Sequence, residues 1–158
     1  MPLLKIVSGG QTGVDRGALD AALRLGFPCG GFCPCGRLAE DGVIPKRYPV
    51  SELPDGGYLE RTIRNVIESD GTAVLFFGTL EGGTEETVNQ CRLSRRPYRL
   101  IDGDAMDAAQ AAQSLRDFVT AHRIRSLNVA GPRQSREIRA HDYAFEVITL
   151  LLRNPRVA

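Results

Sequence analysis

The stretch KIVSGGQTGVDRGALDAA, residues 5–22, decides the fold. A short apolar run leads into a glycine-rich turn, SGGQTG at residues 8–13, and an amphipathic run follows. In a parallel α/β sheet, such a turn connects the first strand to the first helix and lets the backbone approach a phosphate group closely. The free N–H groups at the start of the helix then bind the anion. The stretch therefore predicts a ligand site at the carboxyl end of the first strand.

Two common nucleotide motifs do not fit this turn. Ser8 stands where the pattern G-x-G-x-x-G has its first glycine, and no acidic residue closes the second predicted strand. No Lys-Ser or Lys-Thr pair follows, so NAD binding and ATP hydrolysis are both disfavoured. A tight turn without a ligand is the alternative. Against it stand four polar side chains that a turn alone does not require, Gln11, Thr12, Asp15 and Arg16.

Length and charge exclude several classes of protein. The 158 residues fit one domain, 1–158, and 20 basic against 19 acidic residues leave a formal charge of +1. This balance predicts neither a nucleic-acid partner nor a membrane-surface partner. No apolar run approaches the roughly 18 residues that a membrane span requires. We therefore expect a cytoplasmic protein whose four cysteines are reduced thiols.

Strand-like and helix-like segments alternate along the chain. The predicted strands are 3–7, 26–32, 72–77, 98–101 and 126–130. The predicted helices are 14–25, 58–69, 84–95, 105–121 and 136–153. The alternation predicts an α/β fold, a single-domain Rossmann-like parallel sheet flanked by helices on both faces. Residues 33–57 interrupt it with a stretch rich in Pro and Gly, which we interpret as a functional loop.

Two further glycine junctions follow later predicted strands. Gly82-Gly83-Thr84 opens one helix, and NVAGPRQS at residues 128–135 follows the last strand. Because the carboxyl ends of parallel strands meet at one edge, these junctions are expected to share a site with the first loop. Arg133 is a candidate for bidentate binding of a phosphate or carboxylate group. The alternative is a solvated side chain at a loop tip.

Five blocks of the chain resemble a known family. They are SGGQTGVDRGALDAA, GGFCPCGRLAEDGVIPKRYPVSE, YLERTIRNVIESDGTAVLF, GGTEET and LNVAGPR. In this order they resemble the molybdenum-carrier family, within the lonely-guy-like (SLOG) superfamily of Rossmann-like nucleotide-binding proteins. The resemblance implies a pocket at the strand ends for a phosphorylated nucleotide-like or pterin-like small molecule. A nucleotide or the molybdenum cofactor is the ligand that it suggests.

The resemblance also implies a set of ligand-binding residues. In the first loop and helix they are Gly9, Gly10, Gln11, Thr12, Gly13, Asp15 and Arg16. The long loop adds Arg37, Glu40 and Asp41, with Cys33, Pro34 and Gly36 beside them. The later segments add Arg61, Asn65, Gly82, Gly83, Thr84 and Thr87. The third glycine junction adds Gly131 and Arg133 as candidates from its own residues. Arg61 and Asn65 are four residues apart and share a helix face, where a surface hydrogen bond is the alternative role.

The chain departs from the related phosphoribohydrolases at a decisive position. Where they carry a glutamate that contacts the ribose, this sequence has Thr87. A hydroxyl cannot stabilise an oxocarbenium-like centre as a carboxylate does, unless Glu85 or Glu86 substitutes. A carrier or binding protein is therefore favoured over a nucleotide-processing hydrolase, with a ligand-sensing module as a third class. No catalytic residue is assigned. Cys35 also replaces a basic residue that is common in the family.

The cysteine spacing does not indicate a metal site. Cys29, Cys33 and Cys35 form C-x3-C-x-C, which lacks the paired C-x2-C spacing of structural zinc sites. We expect no bound metal ligated by this loop.

The last predicted helix has a wide apolar stripe. Tyr143, Val147, Ile148 and Leu151 form one face, and further apolar residues spread beyond it. Burial within the monomer is one explanation. A symmetric subunit interface is the other, and on it we base the expectation of a homo-oligomer.

Overall fold

A computed structural model describes residues 2–154. The strands are β1 (Lys5–Val7), β2 (Cys29–Gly30), β3 (Phe32–Cys33), β4 (Leu38–Ala39), β5 (Gly42–Val43), β6 (Ser51–Glu52), β7 (Gly71–Phe76), β8 (Tyr98–Asp102) and β9 (Ser126–Ala130). The helices are α1 (Val14–Arg24), α2 (Tyr58–Ile67), α3 (Gly82–Leu93), α4 (Ala108–His122) and α5 (Ala140–Arg153). The predicted alternation of strands and helices is confirmed.

The central sheet has five strands in the order β2-β1-β9-β7-β8, and every pairing is parallel. Its middle strand β9 places Leu127 beside Ile6 on one side and beside Gly71 on the other. Strand β7 is buried along nearly its whole length, because both of its faces are covered. The predicted strand 26–32 is divided: Cys29–Gly30 joins the sheet, whereas Phe32 lies in β3 and pairs with β6.

Helices cover both faces of the sheet. On one face α1 packs against α5, and α5 packs against α4. Their apolar stripes share one core cluster with sheet residues such as Ile6, Leu75 and Leu127. On the other face α2 packs against α3. The predicted α/β architecture with helices on both faces is therefore confirmed.

The apolar stripe of α5 is buried within one chain. Val147, Ile148 and Leu151 are fully buried in the main core, and Tyr143 packs against it from the edge. The need to cover both α1 and α4 explains the width of the stripe. This corrects the interpretation of α5 as a subunit interface, and the homo-oligomer stays a prediction without support from this helix.

The interrupting segment 33–57 folds as a compact flap beside the first glycine loop. Strands β4 and β5 form a short hairpin, and β6 pairs with β3. Ile44, Tyr48 and Val50 from this segment form a second small core with Leu19 of α1 and Cys33. Among residues 2–154, no helix is long and apolar enough to cross a membrane.

Candidate functional site

The carboxyl edge of the sheet contains a cavity of about 290 Å³. Its walls come from the segment that follows β1, from the ends of β7 and β9 with the segments that follow them, from α2 and from the start of α3. All three glycine junctions therefore contribute to one cavity. Such an edge is where ligands bind in open parallel α/β sheets.

The cavity collects many of the predicted ligand residues but not all. Those that line it are Gly9, Gln11, Asp15, Arg61, Asn65, Gly83, Thr84, Thr87, Gly131 and Arg133. Those that do not line it are Gly10, Thr12, Gly13, Arg16, Arg37, Glu40, Asp41 and Gly82. The second group is concentrated in the flap and in the part of the first loop that faces it.

Gly9 makes room for an arginine of the protein. A Cβ built on Gly9 would lie 1.8 Å from Nη1 of Arg61, which donates a hydrogen bond of 2.9 Å to Oδ2 of Asp15. The backbone N–H of Gln11 donates to the same carboxylate oxygen at 3.1 Å. The absence of a side chain at Gly9 therefore allows the Arg61–Asp15 ion pair to form beneath the loop.

Two other glycines allow neighbouring loops to pack closely. A Cβ on Gly13, where φ is +83°, would lie 2.4 Å from the carbonyl oxygen of Pro132. A Cβ on Gly131 would lie 2.7 Å from the carbonyl oxygen of Leu75. These positions bring the loop after β9 against the start of α1 and the end of β7. Their glycines are required by contacts within the protein.

Asp15 lies beneath the cavity as a buried carboxyl group. Burial raises its pKa above the ordinary value, although the charge of Arg61 and the N–H of Gln11 act in the opposite direction. The ion pair with Arg61 is itself largely shielded from solvent, with 13% and 8% of the two side chains exposed. Asp15 thus fixes the position of Arg61 and of the loop backbone.

The predicted residues of the flap mainly bind one another. Glu40 accepts hydrogen bonds from the hydroxyl groups of Thr12 and Ser135. Partial desolvation acts to raise the pKa of Glu40, but these hydrogen bonds outweigh it and lower the pKa below its ordinary value. Arg16 forms a bidentate pair with Asp41, with N–O distances of 2.6 and 2.8 Å. These contacts fasten the hairpin tip to α1 and to the loop after β9.

Arg37 holds the flap together. Its guanidinium group donates to the carbonyl oxygens of Ile44, Pro45, Tyr48 and Val50 over distances of 2.8 to 3.1 Å. All of these acceptors lie in the flap itself. Arg37 does not line the cavity, because the long loop uses this side chain to satisfy its own carbonyl groups.

Asn65 also has partners within the protein. Its Oδ1 accepts from the N–H of Phe32 at 2.8 Å, and its Nδ2 donates to the carbonyl oxygen of Phe32 at 3.0 Å. This two-point contact fixes α2 to β3. Asn65 therefore shapes the cavity wall while its amide is engaged elsewhere.

The space beside Gly83 in the second glycine junction is open, whereas other parts of the protein fill the space beside Gly9 and Gly13 in the first. A Cβ on Gly83 would meet nothing within 4 Å, and Gly83 lines the cavity. Glu81, the residue before α3, provides no side-chain cap for this helix. Thr87 donates its hydroxyl hydrogen to the carbonyl oxygen of Gly83 at 3.0 Å. The first backbone N–H groups of α3 are therefore available beside an open wall.

Two arginines bring positive charge to this wall. Arg133 and Arg136 both line the cavity, and neither forms a salt bridge with any residue in 2–154. Nη1 of Arg136 lies 3.5 Å from where a Cβ on Gly82 would stand. Arg133 lies over the ring of Tyr58, 5.7 Å from its centroid. Sequence reasoning missed Arg136, although it lies one turn beyond Arg133 and the N–H of Arg136 donates to the carbonyl of Arg133 at 3.0 Å.

Acidic side chains also reach the cavity. Glu81, Glu86 and Glu137 line it, whereas Glu85 does not. Oε1 of Glu86 accepts from Nε2 of Gln90 at 2.7 Å. Hydrogen bonds from Arg139 lower the pKa of Glu137 to about 2, so this group is ionised at neutral pH.

Aromatic residues complete the cavity, and sequence reasoning missed them as well. Tyr58, Phe76 and Phe77 line it. Tyr58 opens α2, and the two phenylalanines end β7 and begin the next loop. The available signal was the position of Phe76 and Phe77 at the carboxyl end of the predicted strand 72–77, where ligand sites lie in parallel sheets. Aromatic walls with a few polar groups are typical of small-molecule sites.

The cysteines lie outside the cavity. None of Cys29, Cys33, Cys35 and Cys91 lines it. Burial raises the pKa of Cys29, Cys33 and Cys91, which keeps these thiols protonated. Within residues 2–154, no cluster of three or more His, Cys, Asp or Glu side chains is arranged to hold a metal ion.

The fold is that of a Rossmann-like α/β protein. Its cavity lies at the carboxyl edge of the sheet, where ligands bind in proteins of this class. The chain belongs to the circularly permutated YpsA SLOG family, whose model matches residues 6–152.

A solved structure is similar over 95% of both chains, with a TM-score of 0.92 and 38% sequence identity. That protein, from Syntrophus aciditrophicus, carries the name "Putative molybdenum carrier protein". No curated protein matches the chain.

Proposed function

We propose that the protein binds a small phosphorylated ligand, nucleotide-like or pterin-like, in the cavity at the carboxyl edge. In this proposal the phosphate group binds at the N-terminus of α3. One observation carries the proposal: α3 begins uncapped at an open wall that two arginines without ion-pair partners in residues 2–154 also line.

The N-terminus of α3 has the properties of an anion site. Its 12 residues give a full helix dipole, whose positive end lies at Gly82 and Gly83. The N–H groups there have no partner within the helix, and Gly83 leaves the approach open. Arg136 beside Gly82 adds a guanidinium group that can bind phosphate oxygens in a bidentate manner.

The volume of the cavity limits the size of the ligand. At about 290 Å³ it lies at the lower end of small-molecule sites, which span about 300–1,000 Å³. A single nucleotide or a pterin phosphate suits this volume better than a dinucleotide. Tyr58 and Phe77 supply flat apolar surface for a heterocycle.

The name of the similar solved structure supports the proposal that this protein carries molybdenum. The residues present fit the organic part of a molybdenum cofactor, because Gly83, Thr84 and Arg136 suit a phosphate and the aromatic wall suits a pterin ring. They do not offer a thiolate for the metal, since no cysteine lines the cavity. Molybdenum carried here would be held through its pterin or its oxo groups, with no bond to protein sulfur.

Binding is tested by calorimetric titration of the protein with mononucleotides and a pterin phosphate. Arg136→Gln removes one of the proposed phosphate partners and is expected to weaken binding about 10- to 100-fold. Arg153→Gln, at the exposed end of α5, removes the same charge away from the cavity and is expected to leave binding unchanged. Equal effects of both substitutions, or no heat with any phosphorylated ligand, would contradict the proposal.

A hydrolase is the second candidate, and the position of Glu86 in the cavity favours it. Thr87 cannot replace the missing carboxylate, because its hydroxyl is engaged with Gly83. Glu86→Gln and Glu85→Gln form a matched pair, since only Glu86 lines the cavity. Chromatography of nucleoside monophosphates incubated with the protein is expected to show no free base. Steady release that disappears only in Glu86→Gln would establish the hydrolase instead.

A further inference from the structure

The floor of the cavity contains two hydrogen-bond donors without partners. Nε2 of Gln11 and Nε of Arg61 are buried, and neither has a hydrogen-bond partner in the described part of the chain. Both residues line the cavity. Only 6% of Gln11 is exposed. Leaving a buried donor unpaired costs about 1–3 kcal/mol, which points to a partner that is supplied from outside the chain.

The orientation of the Gln11 amide is fixed. Its Oε1 accepts hydrogen bonds from the backbone N–H groups of Thr12 at 3.0 Å and Glu40 at 2.9 Å. Backbone N–H groups can only donate, so the oxygen must face them and the NH2 group must occupy the other position. The unpaired polar atom of Gln11 is therefore a donor, and the side chain cannot offer an acceptor in its place without losing both bonds.

Arg61 is fixed beside it. Its Nη1 binds Oδ2 of Asp15, the oxygen that also accepts from the backbone N–H of Gln11. This shared acceptor places the two residues next to each other. A guanidinium group has no acceptor atom, so the free Nε of Arg61 also demands an acceptor.

We propose that Gln11 and Arg61 form a subsite for an acceptor oxygen of the ligand. This subsite rests on the proposed function and adds a chemical requirement to it. A ring carbonyl is the oxygen that a nucleotide-like or pterin-like ligand offers in addition to its phosphate. The subsite therefore selects an oxo-substituted heterocycle over its amino counterpart, because an amino group would place donor against donor. An oxyanion offers the same chemistry.

Inosine monophosphate and adenosine monophosphate test this selection, since C6 carries an oxo group in the first and an amino group in the second, and N1 carries a hydrogen only in the first. Calorimetry is expected to show inosine monophosphate binding about 10- to 100-fold more tightly. Gln11→Glu keeps an acceptor for Thr12 and Glu40 but removes the donor, and it is expected to abolish most of this preference. Gln113→Glu makes the same change on the exposed surface of α4 and is expected to retain it.

A second measurement is made on the wild-type protein and uses the variant only to assign one signal. In the wild-type protein labelled with 15N on glutamine side chains, the Gln11 NH2 signal is expected to shift on addition of inosine monophosphate. Gln11→Glu identifies that signal by its loss. Molybdate and inorganic phosphate are titrated in parallel, and a Gln11 shift with either of them alone would assign the subsite to an oxyanion.

Two results would overturn the subsite, and they differ in what else they affect. Equal affinity for both nucleotides together with an unmoved Gln11 signal would overturn the subsite and leave phosphate binding intact. The absence of any binding, by nucleotides and oxyanions alike, would overturn the proposed function and the subsite together.

Discussion

The two glycine turns of this protein look alike in sequence and differ in space. In the first, SGGQTG at residues 8–13, the positions beside the glycines are filled by the protein, by Arg61 at Gly9 and by the loop after β9 at Gly13. In the second, at Gly82-Gly83, the position beside Gly83 is empty and belongs to the cavity wall. The protein itself fills the space beside Gly9 and Gly13 in the first turn, whereas the space beside Gly83 in the second turn is left open.

This difference shows that a missing side chain has two separate uses. Glycine permits a close approach, and the approaching group can be another part of the chain or a ligand. At the first turn the close approach builds the floor of the site, because it admits the Arg61–Asp15 pair. At the second turn it leaves space in front of a helix N-terminus. The turn with the stronger sequence motif is thus the less open one.

The largest expected effect separates the two turns by alanine substitution. Gly13→Ala places a Cβ against the carbonyl of Pro132 at a residue with positive φ, and it is expected to destabilise the protein by about 3 kcal/mol or more. Gly83→Ala meets no neighbouring atom and is expected to change stability by less than about 0.5 kcal/mol. Urea unfolding measures both. Similar losses at the two positions would remove the distinction between a filled and an open turn.

A smaller effect is expected when the group that fills the first turn is removed. Arg61→Met leaves the Asp15 carboxylate buried without its partner, and it is expected to cost about 3 kcal/mol near neutral pH. Arg64→Met breaks an exposed pair with Glu68 on the same helix and is expected to cost at most about 0.5 kcal/mol. Unfolding of the protein without ligand measures both.

The pH dependence of Arg61→Met sharpens this test. Without Arg61, the pKa of folded Asp15 rises further above its ordinary value of 3.8. The folded variant then holds the proton more tightly than the unfolded chain, so its stability falls as the pH rises from 3.8 through the folded pKa. The deficit against the wild type should therefore shrink on acidification. A deficit that stays constant from about pH 7 to about pH 4.5 would contradict the buried pair.

The smallest effect concerns the helix that follows the first turn. His141 of α5 contacts Asp20 of α1 at 2.7 Å and Asp142 at 3.0 Å. Burial alone would lower the pKa of His141, but the two carboxylates outweigh it and raise the pKa above 6.5. The resulting stabilisation is present below pH 6.5 and is lost as the pH rises through the folded pKa. Because the pair is partly exposed, we expect less than about 1 kcal/mol.

This contact is checked by NMR titration of the His141 ring. Asp20→Asn is expected to lower the pKa of His141, and the stability difference between variant and wild type should become smaller at alkaline pH. A His141 pKa that does not respond to Asp20→Asn would show that α1 and the first turn are not fixed in this way.

The sequence was sufficient for the sheet because its strands are buried on both faces. Runs such as Ala73-Val74-Leu75 admit few other environments, and the alternation with amphipathic helices then requires parallel pairing. The meeting of three glycine junctions at one edge followed from the same topology. These features depend on local patterns, which a sequence displays directly.

The roles within the site depend on partners distant in the chain. Nothing in the local pattern shows that Gly9 faces Arg61, which is 52 positions away, or that Arg37 binds its own flap. Segment 33–57 has no period that predicts its contacts. Arg136 lies in a turn with several arginines, and only its place near Gly82 distinguishes it. The apolar stripe of α5 was misinterpreted as a subunit interface for a related reason. It covers α1 and α4 of the same chain, and the sequence of α5 alone does not show these partners.

The most direct test of the account is a crystal structure of the protein grown with inosine monophosphate. The open second turn predicts that the phosphate lies within hydrogen-bond distance of the N–H groups of Gly83 and Thr84, with Arg136 on one of its oxygens. A phosphate bound instead to the N–H groups of Gly10 to Gly13 would contradict the account, because it would make the first turn the ligand loop and the second a simple helix start.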